Sequence, residues 1–117
     1  MIDLVNILAA ILSIGIGAIS WLAPGYTMGA LALAPRDGST MGPSEIRASA
    51  GALFVGLGIG ALLIGTSEAY AMVGWAWAGA AIGRATSLGL DRPSTPRKWV
   101  FFAVEAVVGG ALLVLNA

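Results

Sequence analysis

The sequence predicts an all-α integral membrane protein, a four-helix bundle with up-down topology that forms one domain over residues 1–117. Of these residues, 58% are hydrophobic and only 10% are charged, whereas soluble domains average about 45–50% apolar and about 25% charged residues. Four apolar segments are each close to the roughly 20 residues that a helix needs to cross a bilayer core about 30 Å thick. Many of the 17 glycines lie inside these segments, where membrane helices use glycine for close packing.

The first predicted span covers residues 4–22 and ends before Pro24 and Gly25, which interrupt a helix. Its start carries Asp3 and neither Lys nor Arg, and no A-x-A cleavage pattern follows it. We therefore interpret it as a retained membrane helix rather than a cleaved signal peptide. Like the other three spans, it lacks the polar face that a helix of a soluble bundle would need.

The connection between the first and second spans is the longest in the chain. Residues 26–34 within it are apolar but too few to cross a membrane, so we predict a short interfacial or re-entrant helix there. Such a connection either covers a pocket or is a plain surface loop. The second span covers residues 44–65, and Ser44 after Pro43 is its predicted N-cap.

The last two predicted spans cover residues 68–90 and 98–116. Only Thr66 and Ser67 separate the second span from the third, which predicts a tight antiparallel hairpin. Residues 91–97 contain two prolines and separate the third span from the fourth.

The positive charges indicate the orientation of the spans. The first and third connections contain Lys and Arg, whereas the opposite face carries only the acidic Asp3 and Glu68. Because cytoplasmic loops are enriched in Lys and Arg, the sequence predicts a multi-pass protein of the cell inner membrane with both termini outside the cytoplasm. The basic residues on the predicted cytoplasmic face are Arg36, Arg92, Arg97 and Lys98, with Arg47 nearby.

Two charged residues lie inside the last two spans. Arg84 is about 9 Å from the cytoplasmic end of the third span, and Glu105 is about 10 Å from the same end of the fourth. Matching depth on adjacent helices predicts an ion pair, since an unpaired charge at the bilayer centre costs about 2.5–3.5 kcal/mol. The pair either fixes helix register or belongs to a polar pocket, and Arg84 is also long enough to reach the interface alone.

We expect a wider polar cluster around this pair. Ser87 and Asp91 share the helical face of Arg84 at steps of three and four residues. Arg47 aligns with the small or apolar residues Gly51, Val55 and Gly58, as expected if its face meets the bundle interior. The predicted cluster, which is either a binding site or structural, comprises Glu45, Arg47, Arg84, Ser87, Asp91 and Glu105.

Composition limits the chemistry of such a site. Cysteine and histidine are absent, which excludes thiolate metal sites and removes the usual ligand of haem and zinc, so we predict no cofactor and no metal. The net charge of zero gives no sign of nucleic-acid binding. Membrane lipids are the expected partners. Strips of small residues at every fourth position either pack within the monomer or bind a second copy or a larger membrane complex. They are Ala48, Ala52, Gly56 and Gly60 in the second span and Gly79 and Gly83 in the third.

Two motifs and the last helix resemble a known group of proteins. The motifs are SEIRASAGALFVGLG at residues 44–58 and GRATSLGLDRPS at residues 83–94, and the last helix carries Glu105. The chain resembles small bacterial four-helix membrane proteins of a domain-of-unknown-function family related to the DoxX-like group. It departs from their pattern where Ala52 replaces a second Gly and where Arg92 replaces a Gly. The matching residues are Glu45, Arg47, Gly51, Gly83, Arg84, Ser87 and Asp91.

That resemblance implies a four-helix integral membrane fold and no established reaction, although some relatives are named as subunits of quinone-linked oxidoreductases. The first functional hypothesis is a non-enzymatic scaffold, accessory subunit or binder of a lipid- or quinone-like molecule. The alternative is a small proton-coupled transporter, like the four-helix multidrug exporters of similar length, which rely on a Glu in the first helix. The first span has no acidic residue after Asp3, so Glu105 would have to take that role. An enzyme acting on lipid is the third, and only Glu and Arg would be available for its chemistry.

Overall fold

The computed structural model describes residues 2–117, and all its regular structure is helical, which confirms the all-α prediction. Three helical stretches, Asp3–Leu22, Met41–Ile64 and Pro96–Asn116, are long and apolar enough to cross a membrane. The helices are α1 (Ile2–Leu22), α2 (Pro24–Ala30), α3 (Met41–Glu45), α4 (Leu53–Ile64), α5 (Ser67–Leu90) and α6 (Pro96–Asn116), with a 3-10 turn at Arg36–Gly38 and a π-helical segment, Ile46–Ala52, that joins α3 to α4.

The predicted start of the second span is wrong by three residues. Helix α3 begins at Met41 after Thr40, so Ser44 lies inside the helix rather than at its N-cap. Pro43 is tolerated in this first turn because backbone N–H groups there have no partner within the helix, and proline has none to lose. The prediction that the helix begins only after Pro43 is therefore wrong, because proline fits within the first turn.

The ends of α5 and α6 follow ordinary capping chemistry. Gly65 ends α4 at a φ of 72°, a left-handed conformation that glycine adopts without steric cost. Thr66 then caps α5, since its side-chain oxygen accepts a hydrogen bond from the backbone N–H of Ala69 at 3.3 Å. Thr95 caps α6 in the same way, and Pro96 is the first residue of that helix rather than part of the preceding loop.

The short helix predicted at residues 26–34 is present, but it starts two residues earlier. Helix α2 begins at Pro24, where the missing N–H costs nothing, and includes the buried Met28. The hydroxyls of Ser20 and Thr27 lie 2.9 Å apart and tie the end of α1 to α2.

Residues 10–63 form one of two compact units. In this unit α1 packs antiparallel against the stretch Met41–Ile64, and glycines bring the two backbones into direct contact. A Cβ added at Gly51 would lie 2.6 Å from the backbone nitrogen of Trp21, and one added at Gly58 would lie 2.6 Å from the carbonyl oxygen of Ala10. The predicted interior face of Arg47, which contains Gly51 and Gly58, is therefore the face against α1.

The small-residue strips proposed for close packing do not make these contacts. A Cβ added at Gly56, Gly60, Gly79 or Gly83 would meet no atom within 4 Å. Close approach instead uses the seven-residue spacing of Gly51 and Gly58, because an antiparallel helix pair returns to the same contact face after two turns.

Residues 2–9 and 64–117 belong to the second compact unit. Here α5 and α6 run antiparallel, and an added Cβ at Gly74 would lie 2.9 Å from Cβ of Leu112. Gly109 of α6 lies equally close to α5, since its added Cβ would be 2.6 Å from the backbone nitrogen of Ala78. Leu112 is completely buried and Trp77 is 5% exposed, so the core of this unit lies along the α5–α6 contact.

Two asparagines of this unit form a reciprocal amide pair that the sequence analysis did not predict. The Nδ2 of Asn6 donates to Oδ1 of Asn116 at 2.9 Å, and the Nδ2 of Asn116 donates to Oδ1 of Asn6 at 2.8 Å. Asn6 is only 3% exposed. The pair therefore ties the start of α1 to the end of α6, and single asparagines within apolar helices were the available signal for it.

Replacing Asn6 with Leu should lower the free energy of unfolding in detergent by about 1 kcal/mol, because interhelical hydrogen bonds of membrane proteins typically contribute about 0.6–2 kcal/mol. The loss should be smaller in Asn6→Leu/Asn116→Leu, which leaves no unmatched amide. Thermal unfolding followed by circular dichroism measures both. A double variant whose loss equals the sum of the losses in Asn6→Leu alone and Asn116→Leu alone would show that the amides are not coupled.

Candidate functional site

Arg84 of α5 and Glu105 of α6 form a bidentate ion pair. The Nε of Arg84 donates to Oε1 of Glu105 at 3.1 Å, and its Nη2 donates to Oε2 at 3.1 Å. The two side chains are 30% and 13% exposed, so the carboxylate is the more deeply buried partner. The predicted pairing of these residues is confirmed, and it arises because α5 and α6 run antiparallel with both charges at a similar distance from the connecting loop.

An aromatic ring completes the environment of Arg84. The guanidinium carbon lies 5.3 Å from the ring centroid of Phe101, within the range of a cation–π interaction. Phe101 precedes Glu105 by four residues, so one face of α6 presents the ring and the carboxylate together. The guanidinium thus contacts the carboxylate of Glu105 at its edge and the ring of Phe101 beside it. These two groups stabilise its positive charge without a bound ligand.

Ser87 and Asp91, the other residues predicted on this face, do not hydrogen-bond to the pair. Ser87 is half-buried, and Asp91 is exposed at the end of α5. The backbone at this helix end is capped from α6, because Nζ of Lys98 donates to the carbonyl oxygens of Asp91 and of Pro93, the latter at 2.9 Å. The hydroxyl of Ser94 donates to the carbonyl oxygen of Leu88 at 2.6 Å. These contacts close the connection between α5 and α6.

Glu45 and Arg47 are exposed and have partners of their own in the unit of residues 10–63. Ser49, four residues further along the helix, donates from its hydroxyl to Oε2 of Glu45 at 3.1 Å. The single buried cluster predicted for the four charged residues is therefore not shown. The prediction grouped the four charged residues by their depth in the spans, and it overlooked nearer hydroxyl and backbone partners.

Arg47 instead binds the end of α1. Its Nη1 donates to the carbonyl oxygen of Trp21 at 2.7 Å. Trp21 is in the last turn of α1. The carbonyl oxygens of a last turn have no N–H partner within the helix and carry partial negative charge. Arg47 can reach this carbonyl because Gly51 lets the π-helical segment contact the Trp21 backbone. Such π-helical segments are rare and occur frequently at functional sites.

An open groove of about 550 Å³ lies beside Arg47, entirely within the unit of residues 10–63. We call it the Arg47 groove. It combines a cation and hydroxyl groups with alanine side chains, and it is within the volume range of small-molecule sites, about 300–1,000 Å³. The lining residues are Trp21, Thr40, Pro43, Ser44, Arg47, Ala48 and Ala52.

The guanidinium of Arg47 has spare hydrogen-bonding capacity. Arginine has five N–H donors, and among residues 2–117 only the Trp21 carbonyl accepts from this one, so four donors remain. The ion pairs Arg36–Asp37 and Arg84–Glu105 do not involve Arg47, and the lining of the groove contains no acidic side chain. The groove therefore holds a positive charge that the described part of the protein does not neutralise.

The sequence analysis identified Arg47 but missed the groove around it. The contact of Arg47 with Trp21 uses a backbone carbonyl group, which carries no sequence signal. Ala48 and Ala52 were interpreted as a packing strip, although their small size opens the groove. The long connection before the second span was the one available hint, and Thr40 and Pro43 at its end do line the groove. Among the described residues, no group of three or more acidic side chains could hold a metal ion.

Comparison with known proteins identifies the family. The chain belongs to the family described as Domain of unknown function (DUF4345), whose model matches residues 2–116. No curated protein and no solved structure matches the chain. The predicted membership in a family of unknown function is confirmed, whereas the relationship to the DoxX-like group and the bacterial origin stay predictions.

Proposed function

We propose that this member of the DUF4345 family is a non-enzymatic integral membrane protein that binds an amphiphilic molecule in the Arg47 groove. The observation that carries the proposal is the unneutralised guanidinium of Arg47 in an open groove that is also lined by Ala48 and Ala52. The other arginine of the predicted cluster, Arg84, already has both a carboxylate and an aromatic ring as partners. Arg84 and Glu105 are accordingly assigned a structural role, and Arg47 the binding role.

Helix α5 is the fourth membrane span in this proposal. It has 24 residues, enough to cross a bilayer, but its charged and hydroxyl residues make it less apolar than the three helices identified above. It packs against α6 from Gly74 to Arg84, and Glu105 neutralises its central charge. At a rise of about 1.5 Å per residue, the 24 residues of α5 are long enough to cross the bilayer core beside α6.

The distribution of basic residues supports a cytoplasmic location for the Arg47 groove. Arg36 and Arg92 lie in connections that the positive-inside rule assigns to the cytoplasm, and the groove lies beside the first of them. Trp21 and Arg47 would then lie at the level of the lipid headgroups, where tryptophan and arginine side chains are favoured. Both termini are outside the cytoplasm in this orientation.

The groove matches an amphiphile in its order of polar and apolar residues. Ser44 and Arg47 lie near the start of the membrane-crossing stretch Met41–Ile64, whereas Ala48 and Ala52 lie further along it. A polar group bound by Arg47 would leave its hydrocarbon chain beside the two alanines, at greater depth. The open side of the groove would let such a molecule enter from the surrounding leaflet.

The transporter hypothesis receives less support. A proton-coupled carboxylate must lose and regain its proton during each cycle, yet both oxygens of Glu105 accept hydrogen bonds from Arg84.

Native mass spectrometry of protein purified in a mild detergent tests the binding proposal. The wild-type protein should retain one amphiphilic molecule per chain, and Arg47→Gln should reduce its occupancy at least about tenfold, since hydrogen bonds to charged groups contribute about 1.5–3 kcal/mol. Arg92→Gln is the matched control, because Arg92 is exposed and lies outside the groove. Equal retention by both variants, at equal thermal stability, would overturn the proposal.

A further inference from the structure

We infer that the polar group bound by Arg47 is a phosphate, and that the occupant of the Arg47 groove is a phospholipid of the surrounding leaflet. This inference rests on the proposed binding function and specifies its ligand. The observation behind it is the donor set of a groove whose lining contains no acidic side chain: the four remaining N–H groups of Arg47, with Thr40 and Ser44 as hydroxyl-bearing lining residues.

These hydrogen-bond donors favour an anion with several acceptor oxygens over an uncharged headgroup. Thr40 and Ser44 line the groove, and each carries a hydroxyl group that can donate a hydrogen bond. A quinone offers two separate neutral carbonyl oxygens and would leave the charge of Arg47 unmatched. A phosphodiester offers two anionic oxygens and further ester oxygens around one centre, which suits the planar fork of a guanidinium together with nearby hydroxyls.

The Trp21 carbonyl also contributes, because it positions the cation. Its hydrogen bond to Nη1 uses one N–H of Arg47 and fixes the side chain against the end of α1. A guanidinium held in this way loses less conformational entropy when it binds an anion than a freely rotating one would. Arg47→Lys keeps the charge but loses the fork, so it should bind a phosphate more weakly than arginine does.

The lipid, rather than free phosphate, is favoured by the apolar part of the groove. Ala48 and Ala52 line it beyond Arg47, on a stretch that is long and apolar enough to cross a membrane. Inorganic phosphate would not contact these methyl groups. A phospholipid buries part of a chain against them and gains the affinity of that apolar contact in addition to the charge-assisted hydrogen bonds.

Binding of defined ligands to delipidated protein in detergent micelles tests this inference. Native mass spectrometry should show one phosphatidylglycerol per chain, and affinity should fall at least about tenfold in Arg47→Gln and by less in Arg47→Lys, in line with lost charge-assisted hydrogen bonds. Ser44→Ala should weaken binding about threefold to tenfold through one lost hydrogen bond. Ser49→Ala is its matched control, since Ser49 lies in the same helical stretch, Met41–Ile64, and outside the groove.

Three competitors separate the possible failures. Diacylglycerol with the same chains and a quinone should not displace phosphatidylglycerol, and inorganic phosphate should do so only at far higher concentration. Equal, Arg47-dependent binding of diacylglycerol or quinone would overturn the phosphate inference and leave the amphiphile-binding function intact. Inorganic phosphate that competes as well as the lipid would overturn the lipid assignment. If no amphiphile binds in an Arg47-dependent manner, the proposed function fails as well.

Discussion

Replacing Arg84 with Leu should lower the free energy of unfolding by about 3 kcal/mol, because the change leaves the carboxylate of Glu105 buried and unmatched. The side chain of Glu105 is 13% exposed, so little water can replace the two lost hydrogen bonds. The change also removes the cation that lies over the ring of Phe101. Reversible unfolding in mixed detergent micelles, followed by circular dichroism, measures the loss.

A double-mutant cycle separates this loss from simple loss of packing. Arg84→Leu should do less harm when Glu105 is also replaced by Gln, since no unmatched acid then remains. Glu105→Gln alone should cost less than Arg84→Leu alone, because the 30% exposed guanidinium is long enough to reach water at the interface. The exposed Arg92→Leu should change stability by no more than about 0.5 kcal/mol. Equal losses in Arg84→Leu and the double variant would refute the coupling.

The existence of the pair could be predicted because two quantities in the sequence determine it. Helical rise converts a residue's distance from the loop into depth, and burial of a charge requires an opposite charge at similar depth. The long apolar helices could be predicted for a similar reason, since span length is determined by bilayer thickness. Helix ends were less certain because proline is compatible with both a loop and a first helical turn, as Pro43 and Pro96 illustrate.

The Arg47 groove could not be predicted because its main contact is with the protein backbone. Arg47 binds a carbonyl oxygen of Trp21, and every residue type has such a group. The contact also depends on the π-helical segment, whose wider turn has no recognised signature in the sequence. Small residues added a further ambiguity. Gly51 allows the backbones to touch, whereas Ala48 and Ala52 leave open space, and sequence spacing alone does not distinguish these two uses.

Backbone contact between α5 and α6 makes Gly109 the residue of that pair least able to accept a side chain. A Cβ at Gly109 would lie 2.6 Å from the nitrogen of Ala78 and 3.0 Å from the carbonyl carbon of Trp77. Both are backbone atoms of α5, so the helices must separate to make room. Gly109→Ala should therefore lower the free energy of unfolding by about 2–3 kcal/mol, within the range for overpacked cores.

The neighbouring Gly110 provides a matched control with the opposite expected sign. An added Cβ at Gly110 would meet no atom within 4 Å, and the residue is exposed on the same helix. Gly110→Ala should raise stability by up to about 1 kcal/mol, since alanine is the better helix former. Both variants carry the same chemical change at adjacent positions, so helix propensity cannot explain a difference between them. A stabilising Gly109→Ala would mean that α5 and α6 do not approach to backbone contact, and the close alignment that brings Arg84 to Glu105 would lose its structural basis.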